Sequence, residues 1–244
     1  MYPTETISKF IPTGDALIHC EIFNREEAAT LVFLHGNNEN LHIFDPQIRY
    51  FSAYYGTVAI DTRAHGLSTR GSAPFNFYTF ADDLISVLNA LHIEKAHIVG
   101  FSDGAIIALH LALTAPERIE SMVLLGANYH PKGLRWIIRL QLWLVFIGLS
   151  LASLFSAKMR QRKEIWSLMI HQPNLTIAEL SQIAAPTLVV SGENDMVSQS
   201  HNDEISRAIA GSKRLVIPKE DHFWMFTKPE ALNQCVMEFL SSLK

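Results

Sequence analysis

Three side chains in this sequence could together carry nucleophilic chemistry at an acyl carbon: Ser102, Asp195 and His222. Ser102 lies in Gly100-Phe101-Ser102-Asp103-Gly104, a G-x-S-x-G pattern between the apolar run Ala96-His97-Ile98-Val99 and the apolar stretch from Ala105 to Leu113. The first run reads as a buried strand and the second as a buried helix. A serine at such a strand-to-helix corner is held out from the backbone, and flanking glycines let the strand and helix approach closely. The pattern alone recurs by chance in many chains, and the elements around it turn it into a chemical signal. A serine hydroxyl is a poor nucleophile at neutral pH, so it needs a positioned base, and the base needs an acid that fixes its tautomer. Asp195 closes Ser191-Gly192-Glu193-Asn194-Asp195 after the run Thr187 to Val190, and His222 sits in Glu220-Asp221-His222-Phe223 after Arg214 to Ile217. Both follow the carboxyl ends of candidate strands, where open α/β sheets assemble their sites. Among eleven histidines, His222 is the one in the late post-strand loop that the serine corner requires, while His97 and His110 read as core or helix-surface residues. Glu193 and Asp221 remain rival acids, and Asn128 stands where an alternative acid after Met122 to Leu125 would be.

The elements that must position these groups alternate along the chain. Short apolar runs at Leu31 to Leu34, Thr57 to Ile60, His97 to Val99, Met122 to Leu125, Thr187 to Val190 and Arg214 to Ile217 are separated by helical patterns. Those patterns cover Phe80 to Leu91, Asp103 to Thr114, His201 to Ala210 and Pro229 to Leu243, with Pro229 suited to a helix start. Such alternation predicts a parallel sheet with helices on both faces. Thr6 to Phe23, with Thr13-Gly14-Asp15 at its middle, predicts an antiparallel hairpin that extends the sheet edge. Residues 129–180 break the alternation and read as an inserted helical cap on a core of residues 1–128 and 181–244.

The matches accumulate in order along nearly the whole chain, and the chain resembles the α/β-hydrolase superfamily in its serine-nucleophile, esterase- or lactonase-like branch. His35-Gly36 resembles the family's oxyanion loop, Asp61-Thr62-Arg63-Ala64-His65-Gly66-Leu67-Ser68 its D-x-R-G-x-G-x-S turn, Gly100 to Gly104 its nucleophile corner, Gly192 with Asp195 its acid loop, and His222 its terminal histidine. Two positions depart from the pattern: Ala64 where glycine is usual, which suggests a slightly different turn, and Asp221 before the histidine, which could perturb it electrostatically. The resemblance implies an α/β-hydrolase fold: a mostly parallel twisted sheet of about eight strands, helices on both faces and a small helical cap. It implies that His222 removes the Ser102 proton, that Ser102 forms an acyl-enzyme, and that Asp195 stabilises the imidazolium. The oxyanion would be held by the backbone N–H groups of Asn37 and Asp103, with His35 in a supporting role. No metal or organic cofactor is expected. The serine at the corner argues against the branches that place aspartate there and leaves carboxylic ester or lactone hydrolysis. C–C bond hydrolysis, acyl transfer, thioester cleavage and perhydrolysis are alternatives on the same scaffold, as is a ligand-binding or signalling protein without turnover.

Composition sets the outer limits. With 48% apolar and 18% charged residues, a large core is assured, and a net charge of -4 offers no general attraction to nucleic acid. Cys20 and Cys235 form neither a disulfide framework nor a zinc pattern, and Met1 to Phe10 lacks the features of a secretory signal, so a cytoplasmic setting is expected. Leu140 to Phe155 is densely apolar, yet Arg139, Gln141 and Lys158 bound it short of the about 20 residues of a membrane span. Gly148 and its serines suit two short helices as well as one long one. Contact with a membrane surface stays open, because Lys158, Arg160, Arg162 and Lys163 follow directly. Trp136, Trp143, Phe146, Phe155 and Trp166, with Phe223, Trp224 and Phe226 beside His222, could line a pocket for the apolar group of a small acyl substrate.

Overall fold

Strands β1 (Thr6–Thr13), β2 (Ala16–Phe23), β3 (Thr30–Leu34), β4 (Gly56–Ile60), β5 (Ala96–Phe101), β6 (Ile119–Leu125), β7 (Thr187–Gly192) and β8 (Lys213–Ile217) form one sheet in the order β1-β2-β4-β3-β5-β6-β7-β8. The computed structural model describes residues 6–23 and 29–243. The hairpin β1–β2 is antiparallel and joins β4 antiparallel, whereas every neighbouring pair from β4 to β8 is parallel. Parallel strands need crossovers, and these are supplied by α1 (Asp45–Phe51), α2 (Phe77–Ala90), α3 (Asp103–Thr114), α4 (Trp136–Ala152), α5 (Ala157–His171), α6 (Ile177–Leu180) and α7 (Gln199–Ala208). After β8 come α8 (Trp224–Thr227) and α9 (Pro229–Ser241).

The two-residue period of the strands divides the core into two layers. Val32 and Leu34 of β3 and Ile98 of β5 pack with residues of α2 and α3. The intervening Leu31, Phe33 and Val99 pack on the other face with Phe51 of α1 and Phe239 of α9. Being buried on both faces, the central strands read in the sequence as unbroken apolar runs rather than alternating ones.

Between β6 and β7 the chain builds α4, α5 and α6. Leu140 to Phe155 does not divide into two helices: α4 runs unbroken through Gly148, and Leu154 and Phe155 fall beyond its end. This segment leaves and rejoins the sheet at nearly one point, because the Tyr129 carbonyl accepts the Leu175 N–H at 2.9 Å. Its entry is stitched to the loop after β7: Arg135 N–H donates to Met196 O and Ser198 N–H to Gly133 O, both at 2.9 Å. On the other side, Arg70 makes a forked ion pair with Glu164 of α5. Among the described residues no helix is long and apolar enough to cross a membrane.

Candidate active site

Ser102 is the single residue between β5 and α3, and it holds φ 52° and ψ −115°. The strain of this corner is tolerated because its surroundings fix it from both sides. Ser102 N–H donates to Leu125 O of β6 at 2.8 Å, and its own carbonyl accepts the Ala105 and Ile106 N–H groups of α3. Close approach explains the flanking glycines: a Cβ on Gly104 would lie 2.0 Å from Leu34 O, and one on Gly100 2.4 Å from Gly104 O.

Asp195 and His222 meet although distant in sequence. His222 Nδ1 donates to Asp195 Oδ1 at 2.7 Å, with both side chains almost completely buried. Asp195 Oδ1 also accepts Val197 N–H at 3.0 Å, which aims the carboxylate. With Nδ1 committed to the carboxylate, Nε2 carries the lone pair of a base. The ring passes close over Gly126 (φ 61°), where a Cβ would fall 2.5 Å from His222 Cε1, so the end of β6 must be glycine. Phe101 packs against the ring with centroids 4.9 Å apart. Among the described residues Ser102 Oγ makes no hydrogen bond to His222, whose hydrogen bond is to Asp195. The rival acids are placed elsewhere: Glu193 accepts Lys219 N–H, and the exposed Asp221 caps Phe223 N–H without touching the ring.

The loop after β3 closes on the same corner. A Cβ on Gly36 would lie 3.1 Å from Ser102 Cβ. Asn37 Nδ2 donates to Asp103 Oδ2 at 2.8 Å and to Ile165 O of α5 at 3.1 Å, joining the loop, the corner and the inserted helices. The backbone N–H groups of Asn37 and Asp103 have no protein acceptor among the described residues. His35 is a structural ring: Nδ1 donates to Gly36 O at 2.7 Å while Nε2 accepts Thr62 N–H at 3.0 Å, and burial drives its pKa down to about 3. Ala64 takes φ 66°, the left-handed region in which glycine is favoured.

Two carboxyls that the motifs did not point to also border Ser102. Glu39 accepts Gly36 N–H at 2.9 Å, and burial raises its pKa to about 7 against the opposing pull of that bond and of His222. Asp103 is raised to about 6, again by burial, with the Asn37 hydrogen bond and His222 working the other way. The signal for Glu39 is its place three residues after Gly36, within reach of that amide; for Asp103, its place at the helix start beside the serine.

Of the aromatic residues expected around a pocket, Phe223 lies against His222 at 5.2 Å and stacks on Phe226. Trp136 and Trp143 are exposed on α4, Phe146 packs on His171 in the seam with α5, and Trp166 is half-buried on α5. The buried Trp224 joins the core instead, and Phe155 is 88% exposed. The reason is topological: α4 packs on α5, and α5 is the helix that meets the loops around Ser102. A 240 Å³ cavity lies between α5 and those loops, lined by Glu39, His65, Lys158, Arg162 and Ile165 among others. Among the described residues no group of three or more His, Cys, Asp or Glu side chains could hold a metal ion.

Comparison with known proteins shows what the chain as a whole resembles. A sequence model of the alpha/beta hydrolase fold matches residues 29–156. An (E)-2-((N-methylformamido)methylene)succinate hydrolase from Acinetobacter baylyi is 25% identical, over 90% of this chain and 93% of its own. A carboxylesterase from Bacillus subtilis is 24% identical over 98% and 90% respectively. The solved structure of Est816, described as an N-acyl homoserine lactone degrading enzyme, superposes with a TM-score of 0.77 at 27% identity, covering 94% of this chain and 99% of that one.

Proposed function

The chain belongs to the α/β-hydrolase family and is a hydrolase, and from that premise we propose that it cleaves a carboxylic ester or lactone of a small molecule through an acyl-enzyme on Ser102. The observation that carries this reading is the Asp195–His222 hydrogen bond of 2.7 Å, which leaves Nε2 as a base, at the sheet end where Ser102 is held in its strained corner. His222 Nε2 takes the Ser102 proton as Oγ attacks the acyl carbon, and the negatively charged Asp195 stabilises the imidazolium. The oxyanion accepts from Asn37 N–H and Asp103 N–H, two amides that no protein group among the described residues claims. Collapse of the tetrahedral species expels the alkoxide, which leaves with the proton from His222. A water activated by the same nitrogen then attacks the acyl carbon and frees the acid.

Residues 129–180 act as the cap that selects the substrate, with α5 above the loops that hold Glu39 and Asn37. Phe223 and Phe226 supply an apolar wall beside His222. The relatives named above act on different bonds, so the choice of ester or lactone comes from the names of the carboxylesterase and of Est816 together with this apolar wall. Purified protein should hydrolyse short-chain p-nitrophenyl esters or simple lactones and form a fluorophosphonate adduct at Ser102. Ser102→Ala should abolish both, a loss on the order of 10⁴-fold or more in kcat. Turnover that survives this substitution would overturn the assignment, and an unlabelled Ser102 beside a labelled control hydrolase would favour a ligand-binding protein.

A further inference from the structure

Ten of the 22 large apolar side chains exposed among the described residues fall between Trp136 and Phe155, so this surface is one patch and not scatter. Helix α4 has no buried residue at all. Its inner face, with Ile138, Leu142 and Phe146, turns toward α5. The opposite face carries Trp136, Leu140, Leu144, Ile147 and Leu151 at spacings of three and four, an apolar stripe about 80° wide by helical geometry, with the partly exposed Trp143 at its edge against His171 of α5. A helix apolar on every side is ordinarily buried, yet here one whole side faces outward, and it continues into Leu154 and Phe155, 70% and 88% exposed.

Charge identifies what covers it. Residues 129–180 hold seven Lys and Arg against two Glu, a net +5 in a chain whose total is -4, so the remainder carries −9. One of the two acids, Glu164, is already neutralised by Arg70. Arg135 and Arg139 are exposed at the start of α4, Arg160 is exposed on the first turn of α5, and the Lys163 ammonium lies 5.8 Å over the Phe146 ring, on the flank of α4, whereas Lys158 and Arg162 line the cavity beside Glu39. A tryptophan-bearing apolar stripe bordered by cations suits the interface of an anionic bilayer, where indoles and lysine stems sit between hydrocarbon and headgroup. Two copies meeting through α4 would instead bring two segments of +5 together.

We infer that α4 and the basic start of α5 form a docking surface for anionic lipid bilayers, with α4 lying in the interface plane rather than spanning it. This surface is independent of the chemistry assigned to Ser102. The test is flotation of the full chain with vesicles of phosphatidylcholine alone and of phosphatidylcholine mixed with phosphatidylglycerol, alongside sizing of the protein without lipid. Flotation is expected with the mixed vesicles only, to weaken as salt rises, and to fall at least tenfold, on the order of the loss of one strong contact, in Leu144→Glu/Leu151→Glu and in Arg139→Glu/Arg160→Glu. All four positions are exposed, and circular dichroism of each variant should match the parent. Ser102→Ala should float like the parent, so failure of docking and failure of the hydrolase reading are separable. Absence of flotation, equal flotation with neutral vesicles, or a dimer that Leu144→Glu/Leu151→Glu dissociates would each overturn the inference.

Discussion

Ser102 sits among three acids with different tasks. Asp195 is held by His222 and by Val197 N–H, whereas Glu39 and Asp103 are raised to about 7 and about 6 by burial. A carboxyl whose folded pKa lies above its unfolded value keeps a proton that the unfolded chain has lost, so its contribution favours folding at low pH and is progressively lost as pH rises. For Glu39 the window runs from its ordinary 4.5 to about 7. Glu39→Gln removes that dependence while keeping an acceptor for Gly36 N–H. Relative to the parent, the variant should gain about 1–2 kcal/mol between pH 5 and pH 8 in urea unfolding, after allowance for partial exposure. Parallel pH curves for the two proteins would place the Glu39 carboxyl in water. Neither acid could be assigned this behaviour from the sequence, because burial arises only when the loop after β3, the start of α3 and α5 close together. Ser102, Asp195 and His222 were legible for the opposite reason: each lies at a strand end that its own neighbours announce, and Gly100 and Gly104 mark a corner where side chains do not fit.

At the scale of elements, α5 is the joint between the sheet and the outer helix. It is held to the core and its loops by Arg70 with Glu164, Asn37 with Ile165 O, Gln161 with Ala64 O, and Leu168 in the core layer of α3. Arg70 also lies over the Phe75 ring at 4.7 Å. A partly exposed ion pair contributes little to global stability, so Arg70→Ala should cost no more than about 1 kcal/mol. Its effect should appear locally: hydrogen exchange across α4 and α5 should quicken severalfold while β3, β5 and β6 stay protected. Uniform acceleration would mean that Arg70 supports the whole fold instead. The strands and α3 could be read from the sequence because two-sided burial leaves unbroken apolar runs. α1 escaped that reading although Pro46 opens it, because seven residues give too few turns for a helical period to emerge. Helix α4 defeated the same logic in another way, since apolar residues on every side carry no period to tell an inner face from an outer one.

The whole molecule has a rigid sheet and an unequal charge distribution, and one thiol reports on the first. Cys20 on β2 is fully buried between β1 and β4, and burial raises its pKa to about 11. Iodoacetamide should leave Cys20 unmodified in the native protein and label it at the rate of global unfolding, while the half-buried Cys235 reacts earlier. Labelling of Cys20 at the native rate of an exposed thiol would show that the β1–β2 hairpin opens by itself. The charge imbalance was countable in the sequence, but its meaning depended on which helix face stayed uncovered. The bond between Tyr129 O and Leu175 N–H gives the molecule a further property. Because the intervening chain closes on itself at its base, its outer part around α4, which has no buried residue, can change in length without moving either neighbouring strand. What the candidate centre meets is therefore an attachment whose outer helix is replaceable, open to change by grafting in the laboratory as by insertion over generations, while α5 stays as the piece that holds Asn37.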